Sequence, residues 1–239
     1  MKLLSGFYQI ACPSLSHPFD ASAYLIDSGS DLWLIDCGTP EGYTNIISNI
    51  RRLGFDPHSI RAILGTHGHY DHVGAASLFL NDFGCRLYLQ KADREQVEVG
   101  DSYKTTARPL YGRDFLPVQA EEMPEDGSSF KLRSGSLTVL HTPGHTPGSL
   151  CFHLQWQDLS ILIAGDTLWG GFASFIGSDE DLWRKSLDRL CLMHFDLLTF
   201  GHMPPALQGD ANNRLQEARR AFATYYNPWF KPMNETFRY

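Results

Sequence analysis

The chain has 239 residues, 43% of them hydrophobic and 20% charged, the balance of an ordinary globular protein with enough apolar material for a sizeable core. A formal net charge of −7, with no basic run and no basic helical face, argues against a nucleic-acid backbone as partner, because phosphate binding needs clustered Lys and Arg. No apolar stretch approaches the roughly 20 residues that span a bilayer, and the run after Lys2 is too short for a signal-peptide core, so the expectation is a cytoplasmic protein unless a signal has been removed.

The opening third alternates apolar runs with turn residues. Residues 21–27 and 32–35 predict strands joined by the turn Ser28-Gly29-Ser30-Asp31. Over 41–53, Tyr43, Ile46, Ile47, Ile50 and Leu53 recur at helical spacing, and Gly54 sits where a C-terminal cap belongs. A buried strand is predicted over 60–64, a helix over 73–83 and a strand over 86–89. Residues 100–125 are rich in Pro, Gly, charge and aromatics without a clean period, and read as a surface loop excursion bordering a site.

Strands are predicted again over 137–140, 150–156, 161–164 and 197–200, with helices over 179–192 and 212–225. The stretch 226–239 reads as an irregular aromatic tail, carrying Trp229, Phe230, Phe237 and Tyr239. Two β-rich halves, each closed by helices, suggest one α/β (α+β) domain spanning 1–239. Cys12, Cys37, Cys85, Cys151 and Cys191 are scattered and odd in number, without a CxxC spacing, which predicts unpaired buried thiols.

The densest chemical signal is Thr66-His67-Gly68-His69-Tyr70-Asp71-His72, placed directly after a predicted strand. Imidazole and carboxylate together suit zinc and its first-row neighbours, and the lack of cysteine argues against a purely structural zinc site. A run this dense cannot present every ligand to one tetrahedral ion, which suggests two neighbouring metals. Three more potential ligands follow predicted strands: His145 in a Pro/Gly-fixed turn, Asp166 in Gly165-Asp166-Thr167, and His202 after Gly201. Taken singly, an Asp after a strand is more often a turn former or helix cap, and a His at a strand end is more often structural.

In this order the residues resemble the signature of the metallo-β-lactamase superfamily, HxHxDH followed by a distant His, an Asp and a His, over most of the chain from about residue 21 to 202. The resemblance implies an αββα sandwich with the metal site at one edge of two facing mixed sheets. It implies that His67, His69 and His145 hold one metal, that Asp71, His72 and His202 hold the other, and that Asp166 bridges them. It also implies that Asp36, at an early strand end, supports the ligand loop from behind; a plain turn carboxylate is the other reading.

Two divalent ions, most simply Zn2+ with Mn2+ or Fe2+ as variants, would acidify a shared water into a bridging hydroxide nucleophile. Asp71 would handle the proton delivered to the leaving group, and Asp71 and Asp166 are therefore the candidate catalytic carboxylates. No Gly-x-Ser-x-Gly nucleophile motif is present.

Residues 49–101 look similar to subclass B3 metallo-β-lactamases, but Gly165-Asp166-Thr167-Leu168-Trp169 departs from them toward the bridging carboxylate of glyoxalase II and lactonase-type members. The implied activity is hydrolysis of a small ester, lactone, thioester or amide, with weak β-lactam hydrolysis as a side activity. Homoserine-lactone lactonases place an aromatic after the bridging Asp, where this chain has Trp169. Trp169, Phe172, Phe175 and Tyr70 line an apolar substrate pocket on one reading and are ordinary core on the other.

Two alternatives stay open. A mononuclear iron, sulfur dioxygenase-type oxidoreductase shares the ligands, and a non-catalytic ligand sensor could use the same fold. A nuclease is disfavoured by the acidic charge. The partner expected is a small-molecule substrate, with no nucleic acid and no membrane, and the oligomeric state is not readable.

Overall fold

The computed structural model describes residues 1–202 and 210–222, which divide into two units, residues 1–123 and residues from 124 onward, each built on one mixed sheet. Among the described residues no helix is long and apolar enough to cross a membrane.

The first unit carries strands β1 (Lys2–Leu4), β2 (Phe7–Ala11), β3 (Ala23–Asp27), β4 (Leu32–Ile35), β5 (Ile60–Leu64), β6 (Arg86–Leu89) and β7 (Glu121–Glu122), in that order across a seven-stranded sheet. The first four strands pair antiparallel, and β4 to β7 pair parallel. Parallel pairing requires long crossovers. Helices α1 (Tyr43–Arg52), α2 (Tyr70–Val73), α3 (Ala76–Phe83) and α4 (Lys91–Glu98) supply them.

Helix α1 forms because Ile46, Ile47 and Ile50 make one buried stripe, and each fully buried isoleucine contributes about 1.5–3 kcal/mol. It stops at Gly54, which takes φ +88° and donates to Arg51 O while Phe55 N reaches back to Ile50 O, a left-handed cap that only glycine adopts cheaply.

The second unit holds β8 (Ser129–Leu132), β9 (Gly135–His141), β10 (Leu150–Trp156), β11 (Leu159–Ile163) and β12 (Leu197–Thr199), ordered β12-β11-β10-β9-β8. Only the β11–β12 pair is parallel. Helices α5 (Glu180–Cys191) and α6 (Ala211–Ala221) pack over this unit's core, where Trp183, Leu187 and Leu190 meet Leu140, Cys151, Leu162, Leu215 and Ala218. Asp179 caps α5 by accepting from Leu182 N at 2.8 Å.

Several elements differ from the sequence expectation. Strands β1, β2, β7 and β8 and helix α4 are additional; α4 (KADREQVE) is mostly polar, so it carries no clear apolar period to detect. The helix expected over 73–83 begins later, as α3 at Ala76, and the short α2 falls instead on the ligand loop, Tyr70–Val73. The irregular segment 100–125 is only half at the surface: Tyr103, Lys104, Arg108, Arg113, Asp114 and Leu116 are exposed, and it borders the ligand loop through Tyr70 N to Thr105 O. Thr105, Thr106 and Ala107 are fully buried, and Leu110, Tyr111, Phe115, Val118 and Ala120 are nearly so. The segment lacks a period because it satisfies its backbone locally. Asp101 caps the N–H groups of Tyr103 and Lys104, and a single π-helical turn covers Ala107–Tyr111 between Thr106 and Gly112, both left-handed. All five cysteines are unpaired thiols, with Cys37, Cys85 and Cys151 buried. The expected end of the last helix beyond residue 222 and the aromatic tail over 226–239 lie outside the described residues.

Candidate metal centre

In the first unit, two adjacent parallel strands deliver the ligand loop and its support. Strand β4 ends at Ile35 and β5 at Leu64, in register with each other, and Asp36 N donates to Leu64 O. Asp36 therefore emerges beside the loop that begins at Gly65, at the carboxyl ends of parallel strands where α/β sheets collect sites. Asp36 takes φ +59°, a conformation that Asp tolerates better than most residues.

Its buried carboxylate accepts three hydrogen bonds from the loop, each 2.8 Å long: Thr66 N to Oδ1, and Thr66 Oγ1 and His72 Nδ1 to Oδ2. A bond at Nδ1 fixes the His72 ring and assigns ligation to Nε2. The same logic passes through Thr66. Its hydroxyl donates to Asp36, so it accepts from His67 Nδ1 at 3.1 Å, which assigns ligation at His67 to Nε2.

His67 Nε2 and His69 Nδ1 lie 2.9 Å apart, two ring nitrogens aimed at one point, while His72 Nε2 lies 3.6 Å from Asp71 Oδ2. His67, His69, Asp71 and His72 are all buried. Within this unit the shortest donor contacts are His67–His69 and Asp71–His72, and the His67 and His72 rings also lie against each other, with centroids 4.1 Å apart.

The loop between the first two histidines is pinned by a residue without a sequence signal. Asp93 on α4, only 1% exposed, accepts from Gly68 N at 2.9 Å. A Cβ at Gly68 would come within 2.5 Å of the Gln96 amide, which can swing aside, and 3.2 Å of Asp93 O and Val97 Cγ2, so the loop lies tight against α4. On the other side of the loop, Tyr70 N donates to Thr105 O at 2.7 Å, and Tyr70 Oη donates to Glu41 Oε2 at 2.7 Å. Arg113 Nε reaches the other oxygen of Glu41 at 2.6 Å. Burial alone would raise the Glu41 carboxyl, but the bonds from Tyr70 and Arg113 outweigh it and hold Glu41 below its ordinary value. Tyr70 itself is 2% exposed, its ring packed against Tyr111 and Phe115.

The second unit repeats the parallel-strand device. Asp166 follows β11 and His202 follows β12, and the two chain segments stay paired beyond the strands through Ala164 N to Thr199 O and Gly201 N to Gly165 O. His145 lies in the β9–β10 connection, closed by Thr142 N to Ser149 O. Asp166 Oδ2 stands 3.6 Å from His145 Nε2 and 3.3 Å from His202 Nε2, one carboxylate oxygen facing two imidazoles. His145 Nδ1 bonds the Gly171 carbonyl at 2.7 Å, again assigning ligation to Nε2.

Packing sets this arrangement. A Cβ on Gly170 would lie 2.4 Å from Asp166 O and 2.8 Å from His145 Nδ1, and one on Gly144 would lie 2.2 Å from Trp183 Cβ. Trp183 Nε1 donates to Thr167 O at 2.8 Å, and Ser178 Oγ donates to His145 O at 2.7 Å. Trp169, between Asp166 and Gly170, is half-buried at φ +80°, a strained conformation for a bulky residue that costs about 1–3 kcal/mol. Phe172 leans on the Trp183 core cluster, and Phe175 is half-buried.

The donor set fits divalent metals. In each unit imidazole nitrogens, several of them oriented through the other ring nitrogen, face buried carboxylate oxygens, the donor chemistry that suits zinc and its first-row neighbours.

Comparison with known proteins agrees. Residues 17–202 match the family model of the metallo-β-lactamase superfamily. An uncharacterised protein of Mycobacterium leprae is 34% identical over 139 residues, 55% of this chain and 63% of that relative, so the chain spans less than two thirds of its length. The probable metallo-hydrolase YqgX of Bacillus subtilis is 29% identical over 192 residues, 78% of this chain and 87% of its own. Among solved structures, a motif mutant of a metallo-β-lactamase from Cronobacter sakazakii superposes with a TM-score of 0.78 at 22% identity, covering 93% of this chain and 94% of its own. The subclass B3 enzyme BJP-1 of Bradyrhizobium japonicum gives 0.77 at 21% identity, covering 93% and 90%. The chain belongs to the metallo-β-lactamase superfamily and has its fold.

Proposed function

We propose that the donors of the two units act on one pair of divalent metals, most simply zinc, and that the chain uses them to hydrolyse a small ester, lactone, thioester or amide. As a member of this superfamily with relatives designated probable metallo-hydrolases, it is a metal-dependent hydrolase. The observation that carries the dinuclear reading is Asp166, whose Oδ2 faces His145 Nε2 and His202 Nε2 at once, the disposition of a carboxylate that bridges two centres. The first unit's shortest donor contacts fall the same way, His67 with His69 and His72 with Asp71. In this reading His67, His69 and His145 hold one ion, Asp71, His72 and His202 the other, and Asp166 touches both.

When bound, the ions acidify a coordinated water toward neutral pH and polarise the carbonyl to be cleaved. The chain's own residues do the remainder. Asp36, Thr66 and Gly171 hold the His72, His67 and His145 rings in the tautomers that ligation needs. Asp71, buried with its Oδ2 3.6 Å from His72 Nε2, would take up a proton from the attacking water and return it to the leaving group. The substrate is a small molecule, taken on the side where the half-buried Trp169 and Phe175 stand.

A lactone, a thioester, a phosphodiester and a β-lactam, offered to protein stripped with a chelator and then reloaded with zinc or manganese, test this reading. Turnover of the lactone or thioester that appears only on reloading is expected. Full activity in the stripped protein, or a single bound iron with no hydrolysis of any panel member, would overturn it.

A further inference from the structure

Helices α1 and α3 of the first unit enclose a cavity of about 580 Å³ that contains none of the proposed metal ligands. Its volume falls within the roughly 300–1,000 Å³ of small-molecule sites. Helix α1 contributes one polar face to it, Thr44, Ser48, Arg51 and Arg52, on the side away from the buried Ile46 and Ile50. Ile47 and Phe83 supply an apolar floor.

The arginines are the unusual feature. Most described arginines are paired, such as Arg61 with Asp31, Arg86 with Glu121, Arg94 with Glu98, Arg113 with Glu41 and Arg189 with Asp126; Arg133 and Arg220 are exposed without an ion pair among the described residues, and what sets Arg51 and Arg52 apart is that they line one groove together. Neither Arg51 nor Arg52 forms an ion pair among the described residues. The acid nearest to hand, Asp82, is engaged by the Tyr43 hydroxyl at 2.5 Å. A place in the last turn of α1 suits the helix dipole, but the dipole does not account for two guanidinium groups and two hydroxyls lining one cavity. Paired guanidinium groups beside hydroxyl donors are the chemistry of oxyanion recognition.

We propose that this groove binds a small organic anion, its phosphate or carboxylate head taken by Arg51 and Arg52 and its apolar body laid on Ile47 and Phe83. The site is separate from the hydrolytic centre, does not rest on the reading of that centre, and is read by binding instead of turnover.

The test is a titration of the full chain with phenyl phosphate, benzoate and neutral benzyl alcohol, followed by amide chemical shifts. Saturable shifts at residues 43–52 and 82–84 are expected with at least one anion, the better head saturating first, and none with the alcohol. Arg51→Gln with Arg52→Gln should weaken the binding about tenfold or more. Ser48→Trp, which fills the groove and keeps both arginines, should abolish it. Arg51 and Arg52 are exposed and Ser48 is half-buried, so the arginine variant should unfold at the parent's temperature and serves as the fold-neutral control for the Ser48 change. No saturation with either anion at about 10 mM, shifts centred on residues 66–72 instead, or binding undiminished in both variants would overturn the proposal.

Discussion

The two units hold their ligands by different physical means. In residues 36–93 the ligand loop is organised by buried carboxylates, Asp36 with three bonds to Thr66 and His72, and Asp93 with one to Gly68. In residues 142–183 the ligands are organised by steric fit and backbone carbonyls: Gly170 and Gly144 without room for a Cβ, Gly171 O on His145, and Trp183 on Thr167. An electrostatic scaffold fails when a charge is deleted and leaves buried donors unpaired. A packed scaffold fails when an atom is added.

The largest expected effect is therefore a deletion in the first region. Asp36→Ala strands Thr66 N, Thr66 Oγ1 and His72 Nδ1 in a buried setting, at a cost of about 3–5 kcal/mol, and should weaken metal binding about 10–100-fold. Chemical denaturation and metal titration measure the two losses, and an unchanged metal affinity would remove Asp36 from the account. Next comes an addition in the second region. Gly170→Ala forces a methyl against Asp166 O, which is backbone and cannot swing aside, so about 1–3 kcal/mol of stability should be lost. The same change at Gly54, where nothing lies within 4 Å, meets only the left-handed φ and serves as the strain control. Trp183→Phe keeps most of the packing but leaves Thr167 O without its indole donor, for about 1–3 kcal/mol.

How much of this was legible in the sequence follows from the same contrast. Strand β4 is a continuous apolar run, β5 and β11 end in the apolar stretches Ala62–Leu64 and Ile161–Ile163, and the loop Thr66–His72 keeps four donors within six residues, so these could be read directly. Asp93 sits 25 residues from its partner Gly68 on a helix with no apolar stripe, and no local pattern marks it. Trp183 and Phe172 look like any core aromatic until the strands and α5 are assembled around them. The buried half of segment 100–125 was not legible for a related reason, since those residues follow irregular local hydrogen bonding and no period of 2 or 3.6.

The smallest expected effect is titratable. The Glu41 carboxyl lies below its ordinary value of 4.5, so its bonds to Tyr70 and Arg113 contribute stability that is present above about pH 4.5 and lost as pH falls through the depressed value. Metal-free protein carrying Glu41→Gln should melt below the parent at pH 6–7 by a few degrees at most, with the gap closing in acid. A gap that widens in acid would reverse the assigned sign.

The most direct test of the central claim, that two sets of donors hold two ions joined at Asp166, is metal stoichiometry by mass spectrometry on zinc-loaded protein. The account predicts about two ions per chain in the parent, and about one in His69→Ala and in His202→Ala, because each variant disables one centre and spares the other. A parent that binds one ion, or a variant that retains two, would contradict it.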